Sequence, residues 1–204
     1  MSVPLGGVDL GFAGARVPPG THACHVYTDD AERDAALLGF LSQGLRGGET
    51  AACFSENVRE DELAAWLARD GVSLAQERDA GHFTLSSARA VYFENGTFDP
   101  DRMLALVSAF HDASVARGRS GVRVIGEMSA EILHVRGGSR LMEYEARVNG
   151  MLRDRPLTAV CQYDARVFGG ATIMDVLSVH PMMVVHGAVV HNPFFVPPAE
   201  LHAR

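Results

Sequence analysis

Short apolar stretches rich in β-forming residues alternate with amphipathic helical stretches along most of this chain, and that alternation restricts the fold more than any other feature. Thr21–Tyr27, Thr50–Phe54, His82–Ser86, Val122–Glu127, Leu157–Tyr163 and Met182–Val190 have the length and residue types of buried strands, the last one broken by Gly187. Ala31–Leu45 places Leu37, Leu38, Leu41 and Leu45 on one helical face, and Gly47-Gly48 ends it. Asn57 with Glu60 reads as a helix cap before Leu63, Trp66 and Leu67. Asp99-Pro100 opens a helix carried by Met103, Leu106, Val107 and Phe110. Ser139–Arg153 and Ala171–Val179 supply two more.

Strands separated by helices pair in parallel, and strands without polar alternation need cover on both faces. The expected fold is therefore α/β, a three-layer, mostly parallel sheet with helices on both faces. Residues 1–20, rich in Gly and Pro without a period, read as a flexible arm. Residues 21–198 read as one domain and 199–204 as a tail.

Composition removes several function classes. At 47% apolar and 21% charged residues the 204-residue chain is globular rather than disordered. All 18 basic residues are arginine. Without lysine there is no Schiff-base chemistry, no phosphate-cradling P-loop lysine and no Ser-Lys dyad. A net charge of −7 with no basic run argues against direct nucleic-acid binding. Cys24, Cys53 and Cys161 are odd in number and lack a CxxC pair, as expected of reduced thiols in a cytoplasmic protein. No apolar run reaches 18 residues and no basic-then-apolar leader opens the chain, so neither a membrane span nor secretion is expected.

In an open parallel sheet, ligands bind beyond the carboxyl ends of the strands. Those ends carry Tyr27, Thr28, Ser55, Glu56, Glu127, Tyr163 and Asp164, which outline a candidate pocket. His22-Ala-Cys24-His25 is the densest group of metal-ligating types. On a strand, however, His22 and Cys24 face one side and His25 the other, and no second Cys/His pair has zinc-site spacing. Buried, hydrogen-bonded histidines and a core thiol are expected there, with no metal and no cofactor. Cys161 faces Cys24 if their strands are neighbours, and nothing nearby in sequence activates it as a nucleophile. Of Glu143 and Glu145, two apart on a helix, only one turns inward, and Tyr144 and Val148 point to Glu145. For the buried carboxylates an arginine partner such as Arg123 is the bland expectation. His180-Pro181 ends a helix, where a histidine suits the dipole without further role. The Phe194-Phe195 pair is expected to fold back onto the core. Neither a GxSxG elbow nor a GxGxxG after a strand is present.

Two resemblances follow from these segments. Phe40–Phe83, with Phe-Leu-Ser-Gln-Gly-Leu-Arg-Gly-Gly-Glu, Cys-Phe-Ser-Glu and Gly-His-Phe, looks like part of a KaiC/RecA-type ATPase. In that family a phosphate-binding loop joins the first strand to the first helix. Here the join is Thr28-Asp-Asp-Ala-Glu-Arg33, acidic and without glycine or lysine, so phosphate is repelled. Across Thr21–Pro198 the chain resembles the MEDS family, the sensory domain of DcmR-like regulators. The matching words are His22-Ala-Cys-His-Val-Tyr27, Gly39-Phe-Leu-Ser-Gln-Gly-Leu45, Tyr92-Phe-Glu-Asn-Gly-Thr-Phe-Asp99, Arg123-Val-Ile-Gly-Glu-Met-Ser129, Tyr144-Glu-Ala146, Cys161-Gln-Tyr-Asp164, His180-Pro181 and Asn192-Pro-Phe.

The resemblance implies a degenerate RecA/KaiC-like fold used for sensing, without catalysis, with a hydrocarbon or one-carbon derivative as ligand. His22, Cys24, His25, Tyr27, Glu127, Tyr144, Glu145, Cys161, Tyr163 and Asp164 are the candidate ligand-binding residues. No DNA-binding or kinase-type segment is visible in these 204 residues. Signalling is therefore expected through contact with a histidine kinase, an anti-sigma factor or a second copy of the chain. The alternatives are a thiol- or carboxylate-dependent enzyme on the same scaffold, and an interaction module without a ligand.

Overall fold

The computed structural model describes residues 7–14, 16–155 and 157–197. The tail at 199–204 and the first six residues of the expected arm lie outside them. After a short ribbon of β1 (Val8–Asp9) and β2 (Arg16–Val17), the chain runs through β3 (His22–Tyr27), α1 (Asp30–Arg46), β4 (Thr50–Phe54), α2 (Glu60–Arg69), α3 (Leu74–Asp79) and β5 (Phe83–Ser86). It continues through α4 (Ala88–Tyr92), α5 (Pro100–Ala116), β6 (Val122–Glu127), α6 (Leu141–Arg153), β7 (Leu157–Asp164) and α7 (Gly170–Val179), and closes with β8 (Met182–Val185) and β9 (Ala188–His191).

Seven strands form one sheet in the order β5-β4-β6-β7-β3-β8-β9, parallel except for the edge strand β9. Side chains alternate across it, so each strand feeds two cores. Cys24, Phe54, Val124 and Ala159 join residues of α4–α7, including Tyr92, Met103, Tyr144 and Val176. Ala51, Cys53, Ile125 and Val160 join Leu37, Phe40 and Leu41 of α1 with Leu63 and Leu67 of α2. The sheet is thus covered on both faces, the three-layer α/β arrangement expected from the alternation.

Several local expectations are corrected. Within the stretch read as a flexible arm, Val8–Asp9 and Arg16–Val17 pair as the β1–β2 ribbon, and Leu10 and Val17 are buried against the α1 side. Two apolar side chains in the core outweigh the loop-like composition. The single strand Met182–Val190 is a hairpin: β8 and β9 pair antiparallel about His186 and Gly187, both at positive φ. Asn57 does not cap α2, which starts at Glu60 after Arg59 without a side-chain cap. Phe194 remains half exposed rather than folding back.

Gly126 is the one glycine inside a central strand, and its reason is steric. A Cβ there would collide with the Tyr92 hydroxyl, which α4 lays against the sheet beside Cys161.

Candidate functional site

Two buried carboxylates organise the polar residues, one on each face of the sheet. Glu127 ends β6 on the α1 face. Its Oε1 accepts from the Tyr27 hydroxyl at 2.8 Å and the Asn57 amide at 2.6 Å, and its Oε2 accepts from Ser55 at 2.5 Å. The Arg33 guanidinium stands 3.6 Å away. Arg33, not Arg123, is therefore its cationic neighbour; Arg123 instead pairs with Glu49 and donates to the carbonyls of Phe40 and Asp9. Burial and the Glu127 charge push the Tyr27 phenol up, so it stays a donor.

A cavity of about 280 Å³ opens beside this cluster, at the carboxyl ends of β3, β6 and β7. Tyr27, Asn57, Glu127, Ser129 and Asp164 line it, with Glu56 and Glu131 at its wall. No arginine is among the lining residues, although Arg33, Arg89 and Arg166 pair with Glu127, Glu131 and Asp164 from outside the cavity. Asp164 is held below the usual carboxylate range mainly by its hydrogen bonds from Arg166, which also pairs with Asp30. The neighbouring helix end is closed to anions. Asp29 caps α1 by accepting from the Glu32 amide at 2.9 Å, and Asp30 and Glu32 fill the first turn. The amides and positive dipole end that cradle phosphate in nucleotide-binding loops are already answered by acids.

The second cluster lies on the opposite face. Glu145 of α6 is fully buried. Its Oε1 accepts from the Tyr163 hydroxyl at 2.6 Å. Its Oε2 is 3.3 Å from His22 Nε2, 3.5 Å from His180 Nε2 and 3.6 Å from Cys161 Sγ. Burial alone would raise this carboxyl; the hydrogen bond from His22 and the nearness of His180 and Tyr163 outweigh it and hold the group at about 2. Burial takes His180 down to about 4 and pushes Cys161 well up.

The expected candidates therefore divide. Tyr27, Glu127 and Asp164 belong to the strand-end cavity. His22, Glu145, Cys161 and Tyr163 belong to the opposite cluster, next to Cys24, which pairs with Cys161 in register and has its thiol pushed to about 12 by burial. His25 does face away from His22, toward Gln162 and Glu32 on the α1 side. Tyr144 touches neither group directly; its ring packs edge-on against Phe98 in the core. Sequence reasoning missed four participants. Arg33 and Asn57 approach Glu127 from a helix and a loop, and Asn149 and His180 approach His22 from α6 and the end of α7. Only His180-Pro181 left a mark in sequence, as a histidine at a helix end.

The fold is RecA/KaiC-like, with an acid-capped first helix where a phosphate-binding loop would stand. Solved structures agree on the fold. A KaiC-like protein from Pyrococcus horikoshii OT3 superposes with a TM-score of 0.61 at 15% identity, covering 88% of this chain and 80% of that one. The flagellar accessory protein FlaH from Methanocaldococcus jannaschii gives 0.62 at 12% identity, covering 86% and 77%. The chain belongs to the MEDS family, the methanogen/methylotroph DcmR sensory domain, whose pattern matches residues 21–181. The transcriptional repressor DcmR of Methylorubrum extorquens is 25% identical over 169 residues, 82% of this chain. The match spans 61% of the repressor's length.

Proposed function

We propose that the chain is a non-catalytic sensor that takes a small uncharged or cationic molecule into the strand-end cavity and passes its occupancy on by protein contact. The observation that carries this reading is the cavity itself: four carboxylates and a tyrosine around about 280 Å³, beside a helix end whose anion site is filled from within. Anionic ligands, nucleotides among them, meet like charge there. A one-carbon or small hydrocarbon derivative bearing a hydrogen-bond donor suits the space, in keeping with the family's sensory role. Regulation of transcription, the role in the name of the M. extorquens repressor, supports a regulatory output, delivered through a partner such as a histidine kinase or an anti-sigma factor.

Asn57 offers a route outward. It bonds Glu127 and lies in the loop leading into α2, so a ligand that takes over the Glu127 oxygen frees the start of that helix. Such a ligand signals only if it binds the two loop positions with different affinity. Calorimetric titration with methylamine, methanol and Mg·ATP tests the reading. Binding of a one-carbon probe that Glu127→Gln weakens at least tenfold supports it. Saturable binding of Mg·ATP, or one-carbon binding unchanged in a folded Glu127→Gln, overturns it.

A further inference from the structure

On the face away from that cavity, His22, Glu145, Cys161 and His180 bring one ligand atom each to within 4.8 Å of one another. They arrive from four places: β3, α6, β7 and the end of α7. Four of the six donor-to-donor distances are 3.3 Å (His22 Nε2 to Glu145 Oε2), 3.4 Å (His22 Nε2 to Cys161 Sγ), 3.5 Å (His180 Nε2 to Glu145 Oε2) and 3.6 Å (Cys161 Sγ to Glu145 Oε2). Bonds of about 2.0–2.3 Å in a tetrahedral zinc site put its donors roughly 3.3–3.8 Å apart. Four of the six edges fall in that range, and the remaining two are no longer than 4.8 Å.

Protonation sharpens the case. Asn149 Nδ2 donates to the Val179 carbonyl, which turns Oδ1 toward His22 Nδ1 at 2.9 Å. His22 therefore carries its proton on Nδ1. His180 Nδ1 faces the Val176 carbonyl at 2.7 Å and carries its proton there too. With both rings neutral, as metal ligands are, each Nε2 lone pair points inward beside the Glu145 carboxyl group. The Cys161 thiol also faces this centre, and His180 Nε2 is buried without a hydrogen-bond partner among the described residues. Histidines whose outer nitrogen is tied to an oxygen acceptor are the usual surroundings of a metal. Tyr163 holds Glu145 Oε1, which leaves Oε2 as the single inward oxygen.

We propose that His22 Nε2, Glu145 Oε2, Cys161 Sγ and His180 Nε2 form a binding site for one divalent transition metal, with zinc the ion best matched. On binding, the Cys161 S–H bond breaks, its proton leaves to solvent, and the sulfur pair forms the bond to the metal. One thiolate and one carboxylate then neutralise the double charge inside a dry core. The donor set is soft enough to pass over magnesium and calcium. Four protein ligands leave no open position for a substrate, so the ion ties α6 and α7 to the sheet rather than performing hydrolysis. Cys161 alone of the four keeps accessible surface. The site does not depend on the sensor reading.

The test is a cobalt and zinc titration of the full-length chain after chelator treatment, followed by absorption and by thermal unfolding. Wild type is expected to take up one equivalent of Co²⁺ with a thiolate-to-cobalt band and a tetrahedral visible spectrum, and to melt higher with Zn²⁺. Cys161→Ser should lose the thiolate band, and Glu145→Gln should weaken Zn²⁺ at least tenfold. Cys53→Ala, on the other face, should change neither. A wild type without the thiolate band at one equivalent overturns the proposal, even if a variant fails to fold. Binding unchanged in folded Cys161→Ser and Glu145→Gln overturns it equally.

Discussion

Glu127 and Glu145, two carboxylates buried in one protein, occupy opposite faces of the same sheet and have opposite company. Glu127 is met by donors: two hydroxyls, an amide and a guanidinium. Glu145 is met by the Tyr163 hydroxyl, two imidazole nitrogens and a thiol. The first is satisfied by the chain's own groups, while the second leaves a centre that calls for a cation or proton. The proposed roles of the two sites follow from that contrast.

Removing the Glu127 carboxylate leaves Tyr27, Ser55 and Asn57 without their acceptor and Arg33 with only its outer acids. Breaking such a buried group costs about 2–4 kcal/mol. Glu127→Ala should lose that much in urea unfolding, whereas Glu127→Gln, which keeps an acceptor oxygen, should lose less. Equal losses would mean that the charge is immaterial to the cluster.

The thiols give a second check. Burial pushes Cys24 and Cys53 to about 12 and Cys161 well above its ordinary value. At pH 8 all three are then protonated in the metal-free fold, and a thiol-specific reagent should find none reactive within minutes, but three after unfolding. A fast native thiol would revive the thiol-enzyme alternative.

Gly126 and Tyr92 predict a non-additive pair. A methyl group at 126 runs into the Tyr92 hydroxyl, while the ring carbon behind it stands at an ordinary contact distance of 3.5 Å. Gly126→Ala should cost about 1–3 kcal/mol by overpacking. In Tyr92→Phe the same change should cost about 1 kcal/mol less, which a double-mutant cycle reads directly.

Acid stability carries a small signature of Arg166. Its hydrogen bonds lower the Asp164 carboxyl below the usual 3.8. A folded-state value lower than the unfolded one stabilises the fold above that unfolded value, and the contribution is lost as pH falls through the folded one. The pair is solvent-screened, so the effect is small. Arg166→Gln should lower stability slightly at pH 7, and the difference from wild type should vanish as pH falls below the Asp164 range. An Asp164 carbon resonance titrating identically in both proteins would remove the assignment.

Much of the fold was legible because strand and helix periods are local properties. The central strands and longer helices all appear near their expected places. Helices α3 and α4, of 6 and 5 residues, are too short to display a period, and both went unread. The reversal at His186-Gly187 depends on two backbone angles that Gly187 hinted at without fixing strand direction. Alternation correctly separated His22 and Cys24 from His25, and helical spacing turned Glu145 inward. What spacing cannot deliver is the meeting of His22 with His180, whose rings lie 4.2 Å apart although the two residues are 158 positions apart in sequence. The same limit hid Arg33 and Asn57, since both reach Glu127 only after the strand order is set.

The most direct measurement is a backbone-amide NMR titration of the full chain with methylamine, methanol and Mg·ATP in turn. The sensor reading predicts that a one-carbon probe moves the amides of Tyr27, Asn57, Met128–Glu131 and Asp164, and that Mg·ATP moves none of Thr28–Arg33. Saturable shifts at Thr28–Arg33 with Mg·ATP, or strand-end amides that no one-carbon probe moves, would contradict it.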